Sequence, residues 1–181
     1  MSAAKWFSEL WAQRGGTVAC ALLLAIPFAI VIWTGNLSAA PRFIDDNQIF
    51  TLDRQLEDEG LLWVIGDHFG ERLFEMKRMV PVYLAHKFCE VWVFGTNLTA
   101  WTLYTALVGG LTACVLFWFG RLMKLTVFEA FCFSLIVVLG PQSVLWWRYL
   151  HGEGIGMLLT ALALVCIPLS LGGDGRERIF R

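Results

Sequence analysis

The stretch TAWTLYTALVGGLTACVLFWF, residues 99 to 119, is an apolar run without a charged side chain. A helix of about 20 residues crosses the roughly 30 Å hydrocarbon core of a bilayer, so this run predicts a membrane span. Small residues recur in it at four-residue spacing, which allows a second helix to approach its backbone closely. We expect this helix-packing role for Ala106, Gly109, Gly110 and Ala113.

Other apolar runs lie on both sides of this stretch. The chain is 57% hydrophobic and 16% charged, and its mean hydropathy is +0.63, which is too apolar for a soluble domain. The sequence therefore predicts an all-α polytopic membrane protein with about four transmembrane helices. Their expected limits are 17–37, 99–120, 126–140 and 154–171.

The basic residues give these spans an orientation. Lysines and arginines of short loops concentrate on the cytoplasmic side of membrane proteins. In this chain they stand before the first span, between the second and third, and after the fourth. Segments 1–16, 121–125 and 172–181 are then cytoplasmic, and segments 38–98 and 141–153 lie on the opposite, outward face.

The first outward loop is long, acidic and patterned. It predicts helices folded onto the membrane surface, because apolar residues recur in it at helical spacing: Leu62, Ile65, Phe69, Leu73 and Met76. A second apolar segment, Met79 to Phe94, approaches spanning length but carries His86, Lys87 and Glu90 on one helical face. A lysine at the bilayer centre costs about 2.5 to 3.5 kcal/mol, so an amphipathic interfacial helix is favoured over a fifth span.

Asp45 and Asp46 form an adjacent carboxylate pair soon after the first span. A carboxylate at such a place serves as a general base when it lies within hydrogen-bond reach of a substrate hydroxyl. Asp and Asn also begin helices, so the pair could instead cap a surface helix around Gln48 to Leu56. Both alternatives stay open at this point.

Charge, cysteine and histidine usage restrict the function classes. A net charge of −1 without a basic stripe argues against nucleic-acid binding. The five cysteines and three histidines show neither a disulfide framework nor metal-ligand spacing, so no metal and no cofactor are expected. The lipid bilayer is the partner that the composition predicts.

The order of these parts resembles the N-terminal part of GT-C glycosyltransferases, which are integral membrane enzymes. The resemblance rests on three stretches: FIDDNQIF, then KRMVPVYLAHKFCEVWVFGTNLTAWTLYTALVGGL, then LGPQSVLWWRYLHGEGIGMLLTALAL. It implies a bacterial inner membrane protein that transfers a sugar from a polyprenyl-phosphate donor, with Asp45 or Asp46 as the general base or a metal ligand. The cations then expected to contact the donor phosphates are Arg72, Lys77, Arg78 and Arg148.

Members of that family have more spans and usually a further soluble domain, whereas this sequence ends soon after its fourth predicted span, at SLGGDGRERIFR. We therefore expect an accessory or structural subunit of a larger membrane complex, with other membrane subunits as partners. An active GT-C glycosyltransferase is the first alternative, and a lipid- or solute-transport component is the second. The spans carry almost no ionisable residues, which disfavours the transport component.

Overall fold

The computed structural model describes residues 3–35, 47–74, 81–140 and 153–170. These residues form seven helices and no strand, which confirms the all-α prediction for this part of the chain. The helices are α1 (Ala3–Trp33), α2 (Asn47–Glu59), α3 (Leu61–Phe74), α4 (Pro81–Phe94), α5 (Leu98–Leu122), α6 (Val127–Leu139) and α7 (Glu153–Ser170).

Two of these helices are long and apolar enough to cross a membrane. They are the 20 residues Arg14–Trp33 of α1 and the 25 residues Leu98–Leu122 of α5. The dihedral angles of Arg14, φ −130° and ψ 17°, break the helix where the apolar part begins. In the predicted third and fourth spans, the described helices are also apolar but shorter, over Val127–Leu139 and Gly154–Ser170.

Helix α5 is the centre of the bundle, and α1, α6 and α7 all pack against it. Asn97 caps its start, since the side-chain oxygen accepts a hydrogen bond from the backbone N–H of Ala100 at 3.1 Å. Buried apolar side chains from all four helices form what we call the bundle core. Its residues are Ala19, Leu23, Ala113, Leu116, Phe117, Ala130, Val138 and Ala161.

The connection from α5 to α6 is a tight turn. Lys124 adopts a left-handed φ of 66°, and Thr126 and Glu129 form a capping box at the start of α6. The Thr126 hydroxyl accepts from the Glu129 N–H at 3.2 Å, and the Glu129 carboxylate accepts from the Thr126 N–H at 2.7 Å. These bonds satisfy amides that a helix start leaves unpaired, so α6 folds back along α5.

Helices α1 and α5 cross closely and run antiparallel. A Cβ built on Gly110 would lie 3.1 Å from both the Cα and the carbonyl oxygen of Leu24. Four residues further along α5, the Cys114 thiol donates to the carbonyl oxygen of Cys20 at 3.4 Å. Because an advance of four residues on one helix matches a retreat of four on the other, the two helices run in opposite directions.

The second core gathers α2, α3 and α4 around the start of α5. It consists of Ile49 and Leu52 from α2, Val64 from α3, Phe88 and Val91 from α4, and Trp101 from α5. We call α2, α3 and α4 together the α2–α4 unit. The Trp101 indole N–H donates to the carbonyl oxygen of Gly95 at 2.9 Å, which fixes the corner between α4 and α5.

The Gly110 crossing generates a prediction about stability. Replacing Gly110 by alanine places a methyl group against the Leu24 backbone, which cannot rotate away, so α1 and α5 must separate. We expect a loss of about 1 to 3 kcal/mol, measured as a lower midpoint of thermal unfolding in detergent. Gly156→Ala on α7 is the matched control, because no atom lies within 4 Å of its added Cβ. Equal midpoints for the two variants would contradict the crossing.

Candidate functional site

Most of the site residues predicted from the sequence fall where the structure gives no description. Arg72 belongs to α3, but its side chain is not among those described. The remaining residues of the predicted carboxylate and phosphate-contact sites lie outside the described residues: Asp45, Asp46, Lys77, Arg78 and Arg148. The predicted catalytic and phosphate-contact side chains therefore lie outside the described part of the structure, and their grouping into one site stays a prediction.

The predicted small-residue positions all lie on α5. Ala106, Gly110 and Ala113 are buried, and Gly109 is half-buried. Gly110 faces Leu24 of α1, and Ala113 belongs to the bundle core. Through Gly110, this face of α5 closely approaches the backbone of α1.

A polar cluster joins α4 to α5, and it is the strongest candidate site among the described residues. His86 and Glu90 stand one turn apart on α4, with the His86 Nδ1 atom 3.4 Å from the Glu90 Oε2 atom. The other ring nitrogen, Nε2, lies 2.7 Å from the hydroxyl of Tyr104 on α5. The three side chains form a continuous line from carboxyl to imidazole to phenol.

This cluster is shielded from solvent. The side chains of His86 and Glu90 are 17% and 11% exposed, and Lys87 beside them is 6% exposed. Phe88 and Val91, on the other side of α4, are fully buried. Helix α4 is thus enclosed on its polar face as well as on its apolar face, because Tyr104 provides a polar partner there.

Burial changes the protonation of both groups in the same direction, toward the neutral form. It raises the pKa of Glu90 to about 8 and lowers the pKa of His86 below its ordinary value. At neutral pH the Glu90 carboxyl keeps its proton and faces the unprotonated Nδ1 of His86. The His86 Nε2 atom and the Tyr104 hydroxyl share a hydrogen bond of 2.7 Å, in which the tautomer of the imidazole sets the donor.

This arrangement can hold a proton and pass it along the line between the two helices. Its neighbours on α4 are Lys87 and Cys89, and Tyr104 is its partner on α5. In the described part of the chain, no group of three or more His, Cys, Asp or Glu residues could hold a metal ion. The contacts of the cluster support proton storage and attachment of α4 to α5.

The sequence placed His86, Lys87 and Glu90 on one face of a helix but did not identify their partner. Tyr104 lies inside an apolar run, where an aromatic residue is ordinarily a packing residue. The available signal was its phenolic hydroxyl, a polar group in a predicted span that needs a hydrogen-bond partner. The pairing itself depends on how α4 crosses α5, which local periodicity does not contain.

Comparison of the chain with protein-family models, curated proteins and solved structures found no match.

The His86–Glu90 pair predicts a pH dependence of stability. Glu90, with its raised pKa, contributes stability that is full below its ordinary pKa of 4.5 and is lost as the pH rises through about 8. His86, with its lowered pKa, contributes stability that is full above 6.5 and is lost as the pH falls below it. Below pH 6.5 the two trends oppose each other, but between 6.5 and about 8 only the Glu90 trend remains.

We therefore expect the free energy of unfolding to fall from pH 6.5 to 8.5, by up to about 2 kcal/mol. Thermal unfolding of the purified protein in detergent measures this change. Glu90→Gln should flatten the dependence, whereas Glu57→Gln, at an exposed position on α2, should keep it. If the free energy of unfolding of the Glu90→Gln variant changed with pH as in the parent, a group other than Glu90 would be titrating.

Proposed function

We propose that this chain is an integral membrane subunit with four spans and a structural role in a larger membrane assembly. The main support for this proposal is the hydrogen bonding of the buried polar side chains in the bundle of α1, α5, α6 and α7. Its buried polar side chains are hydroxyls that donate to carbonyl oxygens of their own helix. These bonds are Thr102 to Leu98 at 2.9 Å, Thr112 to Val108 at 2.8 Å and Ser134 to Ala130 at 2.8 Å.

Charged side chains support the same conclusion. In the described parts of Arg14–Trp33, α5, α6 and α7, the residues Asp, Glu, Lys, Arg and His occur only near helix ends. A path for ions or polar solutes requires ionisable or polar groups that face the interior of the bundle. The bundle has the composition of a packing unit, which favours the structural subunit over the transport component.

The outer faces of the bundle support membrane insertion and contact with neighbours. Large apolar side chains are exposed along α6, at Phe128 and Ile136, and along α7, at Ile167 and Leu169. A bilayer or the apolar span of another subunit is a suitable environment for such faces. We propose a bacterial inner membrane location with both termini cytoplasmic, as the distribution of Lys and Arg indicates.

The GT-C glycosyltransferase remains the alternative, and it rests on the resemblance together with Asp45 and Asp46. In that case a polyprenyl-phosphate sugar is the donor. Helix α2 begins at Asn47, immediately after the pair in sequence, and this position favours a helix-capping role for the carboxylates. We therefore propose that the pair serves the fold.

The subunit proposal is tested by mild extraction. Purified under gentle detergent from its native membrane, the chain should carry stoichiometric membrane-protein partners, because its exposed apolar faces then remain covered. Size-exclusion chromatography with mass analysis gives the stoichiometry. A monodisperse monomer that turns over a lipid-linked sugar by itself would replace the subunit with the enzyme.

The topology is tested by cysteine labelling with an impermeant reagent. Cysteines introduced at Asp58 and Gln142 should react from outside intact cells or spheroplasts, because we place both in outward loops. Cysteines at Met123 and Gly173 should react only after the membrane is opened. Reaction of the Gly173 position from outside would indicate that residues 79–94 cross the membrane as a fifth span.

The double variant Asp45→Asn/Asp46→Asn separates the two roles of the carboxylate pair. Asparagine caps helices about as well as aspartate but cannot accept a proton at neutral pH. We expect the variant to assemble with its partners and function like the parent. A loss of function on the order of a hundredfold with intact assembly is what removal of a general base produces, and it would favour the enzyme.

A further inference from the structure

The crossing of α1 and α5 places two tryptophans at the same height. Trp33 lies nine residues beyond Leu24 on α1, and Trp101 lies nine residues before Gly110 on α5. Since the helices are antiparallel and each residue advances about 1.5 Å, both tryptophans stand about 13 Å from the crossing in the same direction. The exposed end of α1, Ile32 and Trp33, is therefore level with the first turn of α5.

Trp101 brings the α2–α4 unit to that level. Its ring is fully buried in the core of the unit, and it contacts the Phe94 ring edge to face at 5.9 Å between centroids. Tyr104, less than one turn further along α5, contacts both Phe94 at 5.3 Å and His86 at 5.7 Å. His86 and Phe94 are eight residues apart, about 12 Å along the axis of α4, but both contact the same residue of α5. Helix α4 therefore crosses the start of α5 steeply.

Helices α3 and α4 each expose a pair of apolar residues near the corner between α4 and α5. We call these pairs, Leu62–Trp63 and Trp92–Val93, the tips. The rings of His68 and Phe88 are 5.4 Å apart, and Val64 and Val91 share the core of the unit. We infer from these positions an antiparallel pairing, which brings the first turn of α3 beside the last turn of α4. The first turn exposes Leu62 and Trp63, and the last turn exposes Trp92 and Val93.

Three separate segments thus expose an aromatic and an aliphatic side chain near one level of the molecule. Exposure reaches 87% for Trp33, 86% for Leu62 and 68% for Trp92. Tryptophan rings concentrate where hydrocarbon meets headgroups, because the ring is apolar and its N–H can bond to water or ester oxygens. The level that they mark adjoins the ends of the two helices long enough to cross a bilayer.

We propose that the tips Leu62–Trp63 and Trp92–Val93, together with Ile32–Trp33, insert into the headgroup boundary of the outward leaflet. The occupant of this surface is the lipid bilayer itself. This inference rests on the proposed four-span membrane function and adds that the α2–α4 unit is half-immersed in lipid. The exposed charged side of α2, with Arg54 and Glu57, then faces water.

Spin labels at single cysteines test the proposal in phosphatidylcholine vesicles. The labels replace Trp63 and Trp92 in a variant whose five native cysteines are alanines, and collisions with oxygen and with a polar nickel chelate are compared. Arg54 provides the aqueous control, and Leu107, exposed on α5, provides the hydrocarbon control. We expect oxygen-to-nickel ratios at Trp63 and Trp92 several-fold above that at Arg54 and below that at Leu107.

The measurements distinguish a failure of the lipid contact from a failure of the proposed membrane function. The lipid contact is wrong, but the spans are intact, if Leu107 is protected from nickel and the oxygen-to-nickel ratios at Trp63 and Trp92 equal the ratio at Arg54. Protection of the tips from both reagents indicates a protein partner or a second copy and also overturns it. Nickel access at Leu107 overturns the membrane function and the lipid contact together.

A photo-crosslinking amino acid at Trp63 or Trp92 of the chain with its native cysteines gives a second measurement. It avoids the cysteine replacements, should the cysteine-free variant not fold. We expect crosslinks to labelled phospholipid, and the same probe at Arg54 should give few. Crosslinks from the tips to protein alone would overturn the proposal.

Discussion

The burial of Trp101 at the start of α5 connects the two halves of the molecule. Helix α5 packs in the bundle core through Ala113, Leu116 and Phe117, and its first turn enters the core of the α2–α4 unit through the Trp101 ring, with Leu98 packed against the same core. The indole N–H is satisfied by the Gly95 carbonyl oxygen, which removes the cost of burying it. Because Gly95 has a left-handed φ of 51°, the chain turns there with little strain, and α4 is directed across α5.

The two halves bury polar groups in different ways. Inside the bundle, the hydroxyls of Thr102, Thr112 and Ser134 bond to the carbonyl oxygen four residues earlier in their own helix. Where α4 attaches to α5, polar groups are satisfied across helices, as between His86 and Tyr104. The His86–Tyr104 contact links the position of α4 to the protonation of His86, so we expect pH sensitivity where α4 attaches to α5.

Periodicity and apolar run length predicted much of the local structure. The run predicted as 99–120 corresponds to α5, Leu98–Leu122, and the helix expected around Gln48 to Leu56 corresponds to α2, Asn47–Glu59. Such features depend on neighbouring residues, which a sequence displays directly.

Contacts between distant segments were not predictable in the same way. The sequence showed that His86 and Glu90 share a helical face, but not that Tyr104 meets them or that Lys87 becomes buried. These facts follow from the angle at which α4 crosses α5, and a single sequence contains no pattern for that angle. The carboxylate pair Asp45 and Asp46 lies outside the described residues, so its role rests on the sequence and on the proposed variant.

The proposed height of the tryptophans also places the polar cluster relative to the membrane. Tyr104 lies three residues, or about 4.5 Å, further into the bundle than Trp101. If Trp101 marks the headgroup boundary, the hydroxyl that pairs with His86 approaches the edge of the hydrocarbon, where water is scarce. Ionised groups are disfavoured in such surroundings, in agreement with a neutral His86–Glu90 pair at pH 7. Burial of the pair between α4 and α5 and the proposed immersion of the α2–α4 unit then act in the same direction, and both favour the protonated form of Glu90.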